Sequence, residues 1–432
     1  MRWWNGKLFV LGGLLLTPGC MDDPFDFGGP RSCEIADQNE WVYGVMQHVY
    51  LWRDELPEVD PTTFEEPADL VRALRYDVDR WSRVSDRQQT DALFQEGKTI
   101  SFGFGTRRDP DGRVVVATVH ERSPAGEAGM KRGDLIEAVG GFTVEQLDEE
   151  NLWSDIYGPH EPGVPVSLVV ASSGEAREIE LVKDWVDITT VPNVEVLDVQ
   201  GKRVGYVVFS SFLEPALVEL NQAFGDLVEA EVRDVVIDMR YNGGGLVRVA
   251  RHLLNLLGGH AADGEVAYRV EFNEDLRDQN DVRRFSSSKN SIPDIRTVTF
   301  ITTRSSVSAS ELVINALRPH VDVRVVGTTT GGKPVGSRHF AFCDKVLAPI
   351  TFQIVNAEGF GDYFDGIGPD CTASDDLFRP LGDPDERALA EALHLLEMGT
   401  CSPPVEDEPT TPRRHHELQL HPEAGELLIG YF

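Results

Sequence analysis

Hydrophobic side chains change their spacing along the chain, and each spacing predicts a different kind of region. Residues 33–98 repeat apolar side chains three and four positions apart, which is typical of amphipathic helices. Residues 99–185 change to short continuous apolar runs of strand length. Residues 186–398 alternate strand-like runs with helix-like segments, which is the pattern of an α/β sheet. The pattern therefore predicts a multidomain α+β/α/β protein with an N-terminal helical region, a β-rich domain and an α/β domain.

Individual segments predict particular helices and strands within these regions. In the first region, Leu70, Leu74 and Val78 fall on one predicted helical face, and we expect Trp81 and the neighbouring aromatic side chains to pack in a core. In the other two regions, strands are expected at 114–119, 166–170, 204–209, 234–239, 298–302 and 323–326, with helices ending near Ala230 and beginning near Leu246 and at Ser308.

The composition fits a folded, acidic protein. The 432 residues are 41% hydrophobic, enough for buried cores, and carry a formal net charge of −32. Affinity for nucleic acid depends on lysine and arginine, so this charge balance argues against a nucleic-acid binder. It argues equally against docking of a basic surface on an anionic membrane, although net charge describes no single face.

The first residues have the order of an export signal. Arg2 and Lys7 precede an apolar run at 8–16, which is too short to span a bilayer. Small residues and Cys20 follow, and this arrangement resembles the lipidation site of bacterial lipoproteins. Thr17 stands where such signals usually have leucine, so an ordinary cleaved signal with an incidental cysteine is the alternative. In both cases we expect export to the cell envelope, with the protein facing the periplasm or the surface. In the first case, Cys20 is the candidate lipid anchor.

The remaining cysteines predict disulfides. Lipidation of Cys20 leaves Cys33, Cys343, Cys371 and Cys401, an even number that can form two disulfides in an oxidising compartment. Of the three possible pairings we favour Cys343–Cys371, which closes one local loop, and this leaves Cys33–Cys401. No C-x-x-C pair occurs and the clustered histidines lie in the C-terminal tail, so we expect no metal site.

One stretch of the β-rich region resembles a PDZ domain. Residues 123–136 have the sequence SPAGEAGMKRGDLI, in which Pro124 favours the start of a short helix and the glycines turn the chain. Upstream, Phe102-Gly103-Phe104-Gly105 matches the loop that, in PDZ domains, offers backbone N–H groups to the C-terminal carboxylate of a peptide. The resemblance implies protein or peptide substrates with exposed C-termini. A PDZ fold that serves only as a spacer is the alternative.

The α/β region contains a serine at a predicted helix start. Ser308-Ala309-Ser310-Glu311 is an S-x-x-E capping box, so Ser308 could simply be an N-cap residue. The same position suits a nucleophile, because the free N–H groups and positive dipole end of a helix favour a developing oxyanion.

Two glycine-rich segments accompany this serine. Residues 327–333 have the spacing G-x-x-x-x-G-K of a nucleotide-binding loop, but Pro334 stands where a Mg²⁺-binding Ser or Thr is required, so we expect no nucleotide cofactor. Residues 238–245, DMRYNGGG, follow a predicted strand, and their glycines would let backbone N–H groups approach a ligand.

Together these motifs resemble the C-terminal processing peptidases, the S41 serine proteases with a Ser–Lys dyad. The family pattern is D-x-R-x-N-x-G-G, then S-A-S-E, then G-K in a glycine-rich loop, and here Lys333 follows Ser308 by the family's 25 residues. The resemblance implies a crotonase-like α/β peptidase domain, Ser308 as nucleophile and Lys333 as general base and then acid. It also implies an oxyanion hole from the N–H groups of Ala309 and of Gly245 or Gly244.

The family pattern leaves two points open. A lysine base must be neutral at the working pH, so burial must lower its pKa, and the acidic composition requires a locally apolar pocket. Family members often have glutamine four residues after the lysine to orient the dyad, but this chain has Ser337, which we interpret as weaker support for the dyad.

The predicted protein is therefore an exported serine endopeptidase without cofactor, and its alternative is a non-catalytic PDZ and crotonase-like binding protein of the envelope. Its predicted parts are an export signal (1–20), a tether (21–32), the helical region (33–98), the PDZ domain (99–185), the peptidase domain (186–398) and a flexible tail (399–432).

Overall fold

The computed structural model describes residues 24–403. The predicted export signal, the lipidation site at Cys20 and most of the predicted tail lie outside these residues and stay predictions. Within residues 24–403, no helix is both long enough and apolar enough to cross a bilayer.

The N-terminal region is helical, as predicted, with one added strand. Its elements are α1 (Ile35–Val49), α2 (Pro67–Leu74), β1 (Arg83–Asp86) and α3 (Arg87–Asp91), followed by a π-helical turn (Ala92–Glu96). Proline at the first position of α2 suits a helix start, and Leu70, Val71 and Leu74 of that helix are buried. The placement of Val78 on this helix is wrong, because the backbone turns extended at Arg75 and leaves Val78 exposed.

The middle region is an antiparallel sheet with short helices. Its elements are β2 (Lys98–Ser101), β3 (Phe104–Arg108), β4 (Val114–Val119), α4 (Pro124–Glu127), β5 (Leu135–Val139), β6 (Phe142–Thr143), α5 (Val144–Glu150), α6 (Trp153–Tyr157), β7 (Pro165–Ser172), β8 (Glu175–Val182) and β9 (Asp184–Asp187). The strand order β3-β4-β5-β7-β8 leaves β3 at an edge of the sheet, and β2 pairs separately with β9.

The last region alternates strands and helices around a mostly parallel sheet. Its elements are β10 (Asn193–Val199), β11 (Lys202–Val208), α7 (Ala216–Glu229), β12 (Asp234–Asp238), α8 (Val247–Gly258), β13 (Val266–Phe272), β14 (Asp281–Arg284), β15 (Thr297–Thr302), α9 (Ala309–Leu317), β16 (Asp322–Gly327), β17 (Val335–Ser337), β18 (Phe340–Phe342), β19 (Lys345–Ala348), β20 (Ile350–Asn356), β21 (Cys371–Thr372) and α10 (Arg387–Met398).

The central sheet is covered on both faces. Its order is β10-β11-β12-β15-β16-β21, and the strands from β11 onward run parallel. Val235 and Ile237 point toward the core shared with α7, α8 and α9, whereas Val236 points toward α10. Burial on both faces explains why these strands are continuous apolar runs rather than alternating ones.

Three loops leave the same edge of this sheet. Parallel strands place their carboxyl ends together, and ligands of α/β proteins usually bind there. The loop after β12 contains 239–246, the loop after β15 contains 303–308, and the loop after β16 contains 328–334. The fold thus brings the three sequence motifs to one place.

The favoured disulfide pairing is wrong. The structure joins Cys33 to Cys343, 310 residues apart, and Cys371 to Cys401, 30 residues apart. Cys343 lies at the tip of the β18–β19 hairpin, which packs against the N-terminal region through Trp41 and Phe342, with ring centroids 5.0 Å apart. Loop length did not predict the pairing, because the hairpin that contains Cys343 packs against α1 rather than against β21.

Removal of the two disulfides should have unequal effects. In the chain-entropy model the cost grows with the logarithm of loop length, so losing the 310-residue link should destabilise the fold by about 2 kcal/mol more than losing the 30-residue link. Melting curves of the Cys33→Ser/Cys343→Ser and Cys371→Ser/Cys401→Ser double variants test this. A lower Tm for the second variant would contradict it.

Candidate functional site

Ser308 occupies a strained position at the start of α9. Its backbone has φ +58° and ψ −109°, in the left-handed half of conformational space that few non-glycine residues adopt. Such conformations persist where the surroundings fix them, and they concentrate at functional sites. The Ser308 N–H donates to the Glu311 carboxylate at 2.8 Å, which fixes the strained residue from the first turn of its own helix.

Glu311 connects this helix to the loop that carries the lysine. Its carboxylate is fully buried and accepts hydrogen bonds from Gly332 N–H at 2.7 Å and from Lys333 N–H at 2.8 Å. The Thr330 hydroxyl donates to the same carboxylate. Burial raises the pKa of Glu311, and these donors act in the opposite direction. One side chain therefore holds the backbones of Ser308 and Lys333 in a fixed relation.

The Lys333 side chain is buried and makes no hydrogen bond. It is 1% exposed, and its Nζ has no hydrogen-bond partner among residues 24–403. The ring centroid of Trp81 lies 5.6 Å from Nζ. Burial, and then the positive charge of Arg83, hold the pKa of Lys333 well below its usual value of 10.5. Burial therefore favours the neutral amine of Lys333, the form in which a lysine can accept a proton.

Trp81 and Arg83 were not identified as site residues from the sequence. Trp81 was expected to be a core aromatic, and Arg83 belongs to no motif. Both lie in the N-terminal region, and Arg83 Nη1 donates to the Trp81 carbonyl at 3.1 Å. Nothing in their spacing indicates that they lie near Lys333, which follows Arg83 by 250 residues and Trp81 by 252.

The loop after β12 distinguishes between the two candidate glycines. Gly244 N–H is already bonded to Asn242 Oδ1 at 2.8 Å, whereas Gly245 N–H has no partner among the described residues. Gly245 has φ +143°, and a Cβ there would lie 2.3 Å from the Phe212 carbonyl oxygen, so only glycine fits. Ala309 N–H, at the first position of α9, has no intrahelical partner. Gly245 and Ala309 are thus the donors available to a ligand.

A largely buried ion network holds the base of this loop. Arg240 is 1% exposed and donates to Asp238 at 2.7 Å and to Glu386 at 2.8 and 2.9 Å. It also donates to Asp375 Oδ1 at 2.9 Å. Buried charges are tolerated when they are paired and hydrogen-bonded, and here the partners come from β12 and from the segment between β21 and α10, which ends at Glu386.

Ser337 does not hydrogen-bond to the lysine amine. It lies in β17, and its Oγ is buried without a hydrogen-bond partner among the described residues. The orienting bond that the family resemblance suggested for this position is therefore not formed in the structure. The strand also excludes a nucleotide-binding loop, which would continue into a helix at this point.

The predicted carboxylate loop lies beside the edge strand β3. The Phe102 and Gly103 carbonyls accept hydrogen bonds from Ala125 and His120, both at 2.9 Å. Because a carbonyl and the next N–H point in opposite directions, the Gly103 and Phe104 amides face away from these elements, and Gly103 N–H donates to Ser101 Oγ at 3.2 Å. A Cβ at Gly103 would lie 2.1 Å from the Ser123 side chain. The Phe102 ring is buried, whereas that of Phe104 is partly exposed.

Only one cluster among residues 24–403 resembles a metal site. Ligand atoms of Cys371, Glu391 and Cys401 lie within 4.8 Å of one another. Both sulfurs are joined in the Cys371–Cys401 disulfide, so they are not free thiolates.

Comparison with known proteins identifies the family. Residues 203–373 match the model of peptidase family S41, residues 37–83 match the peptidase S41 N-terminal domain, and residues 115–151 match a PDZ domain. The chain belongs to peptidase family S41. These matches lie within the helical region, the antiparallel sheet of the middle region and the α/β region described above.

Named relatives are a carboxy-terminal processing protease and a CtpA-like serine protease. The chain is 29% identical over 321 residues to the carboxy-terminal processing protease CtpB of Bacillus subtilis, covering 72% of this chain and 64% of that protein. It is 23% identical over 394 residues to a protein named "probable CtpA-like serine protease" in Staphylococcus aureus (strain MSSA476), covering 88% of this chain and 75% of the relative. The S41 chain thus spans just under two thirds of the length of the Bacillus relative.

Solved structures have the same fold. A chain assigned to the S41 proteases, from Bacteroides fragilis NCTC 9343, superposes with a TM-score of 0.69 at 24% identity, covering 83% of this chain and 97% of that one. A photosystem II D1 C-terminal processing protease superposes with a TM-score of 0.50 at 21% identity, covering 82% and 95%.

The buried lysine should make stability depend on pH. Because the pKa of Lys333 is lowered in the folded chain, the unfolded chain binds more protons between that pKa and about 10.5, so this group's contribution to stability rises with pH across that window. Lys333→Met should therefore raise Tm at neutral pH, and the gain should shrink as pH approaches 10.5. Melting of the variant across this range, with exposed Lys202→Met as control, measures it. A gain independent of pH would contradict the lowered pKa.

Proposed function

We propose that this protein is an S41 serine endopeptidase of the C-terminal processing type, with Ser308 as nucleophile and Lys333 as general base. One observation carries the proposal: a buried lysine with a lowered pKa and a strained serine at a helix start are bonded through their backbones to the same carboxylate, Glu311. A purely structural lysine would be expected to find hydrogen-bond partners, whereas Nζ of Lys333 has none within residues 24–403.

The proposed reaction has two halves. Ser308 Oγ attacks the carbonyl carbon of the scissile bond while its proton passes to Lys333 Nζ. Gly245 and Ala309 N–H groups hold the negative oxygen of the tetrahedral intermediate. Collapse breaks the C–N bond, the Lys333 ammonium returns its proton to the leaving amine, and an ester on Ser308 remains. Water then attacks that ester with Lys333 as base, which releases the acid and restores the serine.

Ser308 Oγ and Lys333 Nζ must come within hydrogen-bond distance before this reaction begins. Since Lys333 Nζ makes no hydrogen bond in the structure, Ser308 Oγ is not bonded to it. Catalytic hydrogen bonds are often long in enzymes without substrate and form fully in the complex. We therefore propose that the hydrogen bond between Ser308 Oγ and Lys333 Nζ forms when substrate binds.

The proposed substrates are exported proteins with accessible C-termini. The edge position of β3 leaves room for an extended peptide to pair with it, next to the loop 102–105. The Phe104 amide would bind the terminal carboxylate, and partly exposed Phe104 would contact the last side chain. The two disulfides are typical of proteins in an oxidising compartment, and this supports export. Lipid anchoring through Cys20 is a further part of the proposal.

Removal of either proposed catalytic residue should abolish hydrolysis. Ser308→Ala and Lys333→Ala should each eliminate cleavage of a tailed protein substrate, and the double variant should be no worse, because members of one catalytic unit are not additive. A serine-reactive phosphonate should label wild type on the peptide that contains Ser308 and leave Ser308→Ala unlabelled, as intact mass spectrometry would detect.

The neighbouring serine provides the control. Ser310 Oγ is buried and donates to the Asn242 carbonyl at 2.9 Å, so it is unsuited to attack a substrate. Ser310→Ala should retain labelling at Ser308. Labelling that is lost with Ser310 but kept without Ser308 would refute this assignment. A folded protein that is never labelled and cleaves nothing would favour the binding-protein alternative.

Recognition of the C-terminus should depend on a free carboxylate. Fluorescence polarisation of a peptide with an apolar, free C-terminus should give tighter binding than its amidated form, because backbone N–H groups can hold the charge. Use of Ser308→Ala keeps the peptide intact. Gly103→Ala should weaken binding of the free acid, since its Cβ would collide with Ser123. Equal affinity of the two peptides would refute carboxylate recognition at 102–105.

A further inference from the structure

Tyr241 lies between two arginines of the PDZ region. The guanidinium carbon of Arg107 is 5.0 Å from the Tyr241 ring centroid, and that of Arg132 is 5.8 Å from it. Arg132 also donates to the Tyr241 hydroxyl at 2.7 Å. Tyr241 occupies an unspecified position of the D-x-R-x-N-x-G-G pattern, so the pattern itself does not account for this contact.

Arg132 is fully engaged at the boundary with the peptidase region. Its side chain is 12% exposed, and each of the five N–H donors of a guanidinium has an acceptor. One acceptor, the Ala117 carbonyl, is in the PDZ region itself, and four belong to the peptidase region. The acceptors are Ala117 O (2.9 Å), Tyr241 Oη (2.7 Å), Asp375 Oδ1 (2.8 Å), Arg379 O (2.8 Å) and Asp376 O (3.1 Å).

Asp375 links this contact to the buried ion network. The same Oδ1 that accepts from Arg132 also accepts from Arg240, and the Tyr241 hydroxyl donates to the other oxygen. Although burial acts to raise it, the charges of Arg240 and Arg132 keep the pKa of Asp375 below its usual value. Without Arg132, this carboxylate would lose one of its two cations.

The tyrosine is followed directly by residues that contact the candidate oxyanion hole. The Asn242 carbonyl accepts from Val307 N–H at 3.2 Å and from Ser310 Oγ at 2.9 Å, on either side of Ser308. The Asn242 side chain accepts from Gly244 N–H, next to Gly245. A shift of Tyr241 would therefore move both donors that are proposed to bind the oxyanion.

Arg107 reaches the second loop of the site. It lies on the edge strand β3, and its Nη2 donates to Ser305 Oγ at 2.9 Å, three residues before Ser308. The strand to which a substrate tail would add thus contacts the loop that carries the candidate nucleophile.

We propose that Arg107 and Arg132 are positioning residues that hold the two oxyanion-hole loops through Tyr241 and Ser305, so that docking of the PDZ region is required for full turnover. The proposal rests on the proposed peptidase function. It differs from substrate recognition, because neither arginine needs to touch the substrate for the effect.

The test compares Arg132→Met and Tyr241→Phe with wild type. Both should slow phosphonate labelling of Ser308 and lower kcat on a tailed peptide by about tenfold or more, because small misplacements of oxyanion donors are costly. KM should change by less than about twofold, since the peptide loop is untouched. Arg132→Lys should recover little of the rate, because an ammonium cannot replace a five-donor fork.

Lys131→Met is the matched control. It removes the same charge from the adjacent residue, whose side chain is exposed, and it should leave labelling and kcat unchanged. If Arg132→Met labels as fast as wild type, or lowers only Tm, the positioning role is refuted. If it labels faster, docking restrains the site and the proposal is equally overturned.

A measurement independent of activity separates this proposal from the peptidase assignment. Hydrogen–deuterium exchange should be faster in segments 241–246 and 303–308 of Arg132→Met than in wild type or Lys131→Met, because their backbone contacts loosen. Unlabelled wild type with this exchange pattern would refute the peptidase function alone. Normal labelling of wild type with unchanged exchange in Arg132→Met would refute the positioning role alone.

Discussion

The geometry of the site depends on one buried carboxylate. Removing a charged group from water is costly unless hydrogen bonds replace its hydration, and Glu311 obtains four of them. Two of its donors are the backbone N–H groups of Ser308 and Lys333, which lie on loops after different strands. Its position in the first turn of α9 adds a favourable interaction with the helix dipole. The capping box and the proposed dyad are therefore one arrangement, and the strained Ser308 backbone is maintained by the same bond that caps the helix.

The sheet supplies the second constraint. Since β12, β15 and β16 are parallel and adjacent, their carboxyl ends bring three loops together without contributing any site residue of their own. Each loop is then fixed by buried polar contacts: Arg240 holds the first, Glu311 holds the third, and the Ser306 hydroxyl bonds the second to the Met239 carbonyl at 2.7 Å. Loops anchored in this way hold donors in place before substrate arrives, which is the requirement for electrostatic stabilisation of a transition state.

Local patterns predicted much of this fold because local physics decides it. Buried parallel strands must be apolar throughout, so 234–239 and 298–302 were identifiable from the sequence, and the S-x-x-E spacing marked the start of α9. Contacts between distant segments have no such signal. The position of Trp81 over Lys333, the pairing of Cys33 with Cys343 and the contact of Arg132 with Tyr241 all depend on how finished domains pack. The missed residues therefore come mainly from outside the peptidase motifs.

The acidic composition of the chain opposes a lowered lysine pKa, and the local arrangement explains why burial prevails at Lys333. Asp79 and Glu311 are the carboxylates whose charge acts to raise the pKa of Lys333. Both carboxylates already accept hydrogen bonds from other groups. Glu311 has the four donors described above, and Asp79 accepts from the Tyr50 hydroxyl at 2.7 Å and from the Trp81 and Ser82 amides, each at 2.9 Å. Neither forms an ion pair with the amine within residues 24–403. Burial beneath Trp81 and the nearby Arg83 cation then dominate, so a net charge of −32 over the whole chain does not determine the protonation of this one group.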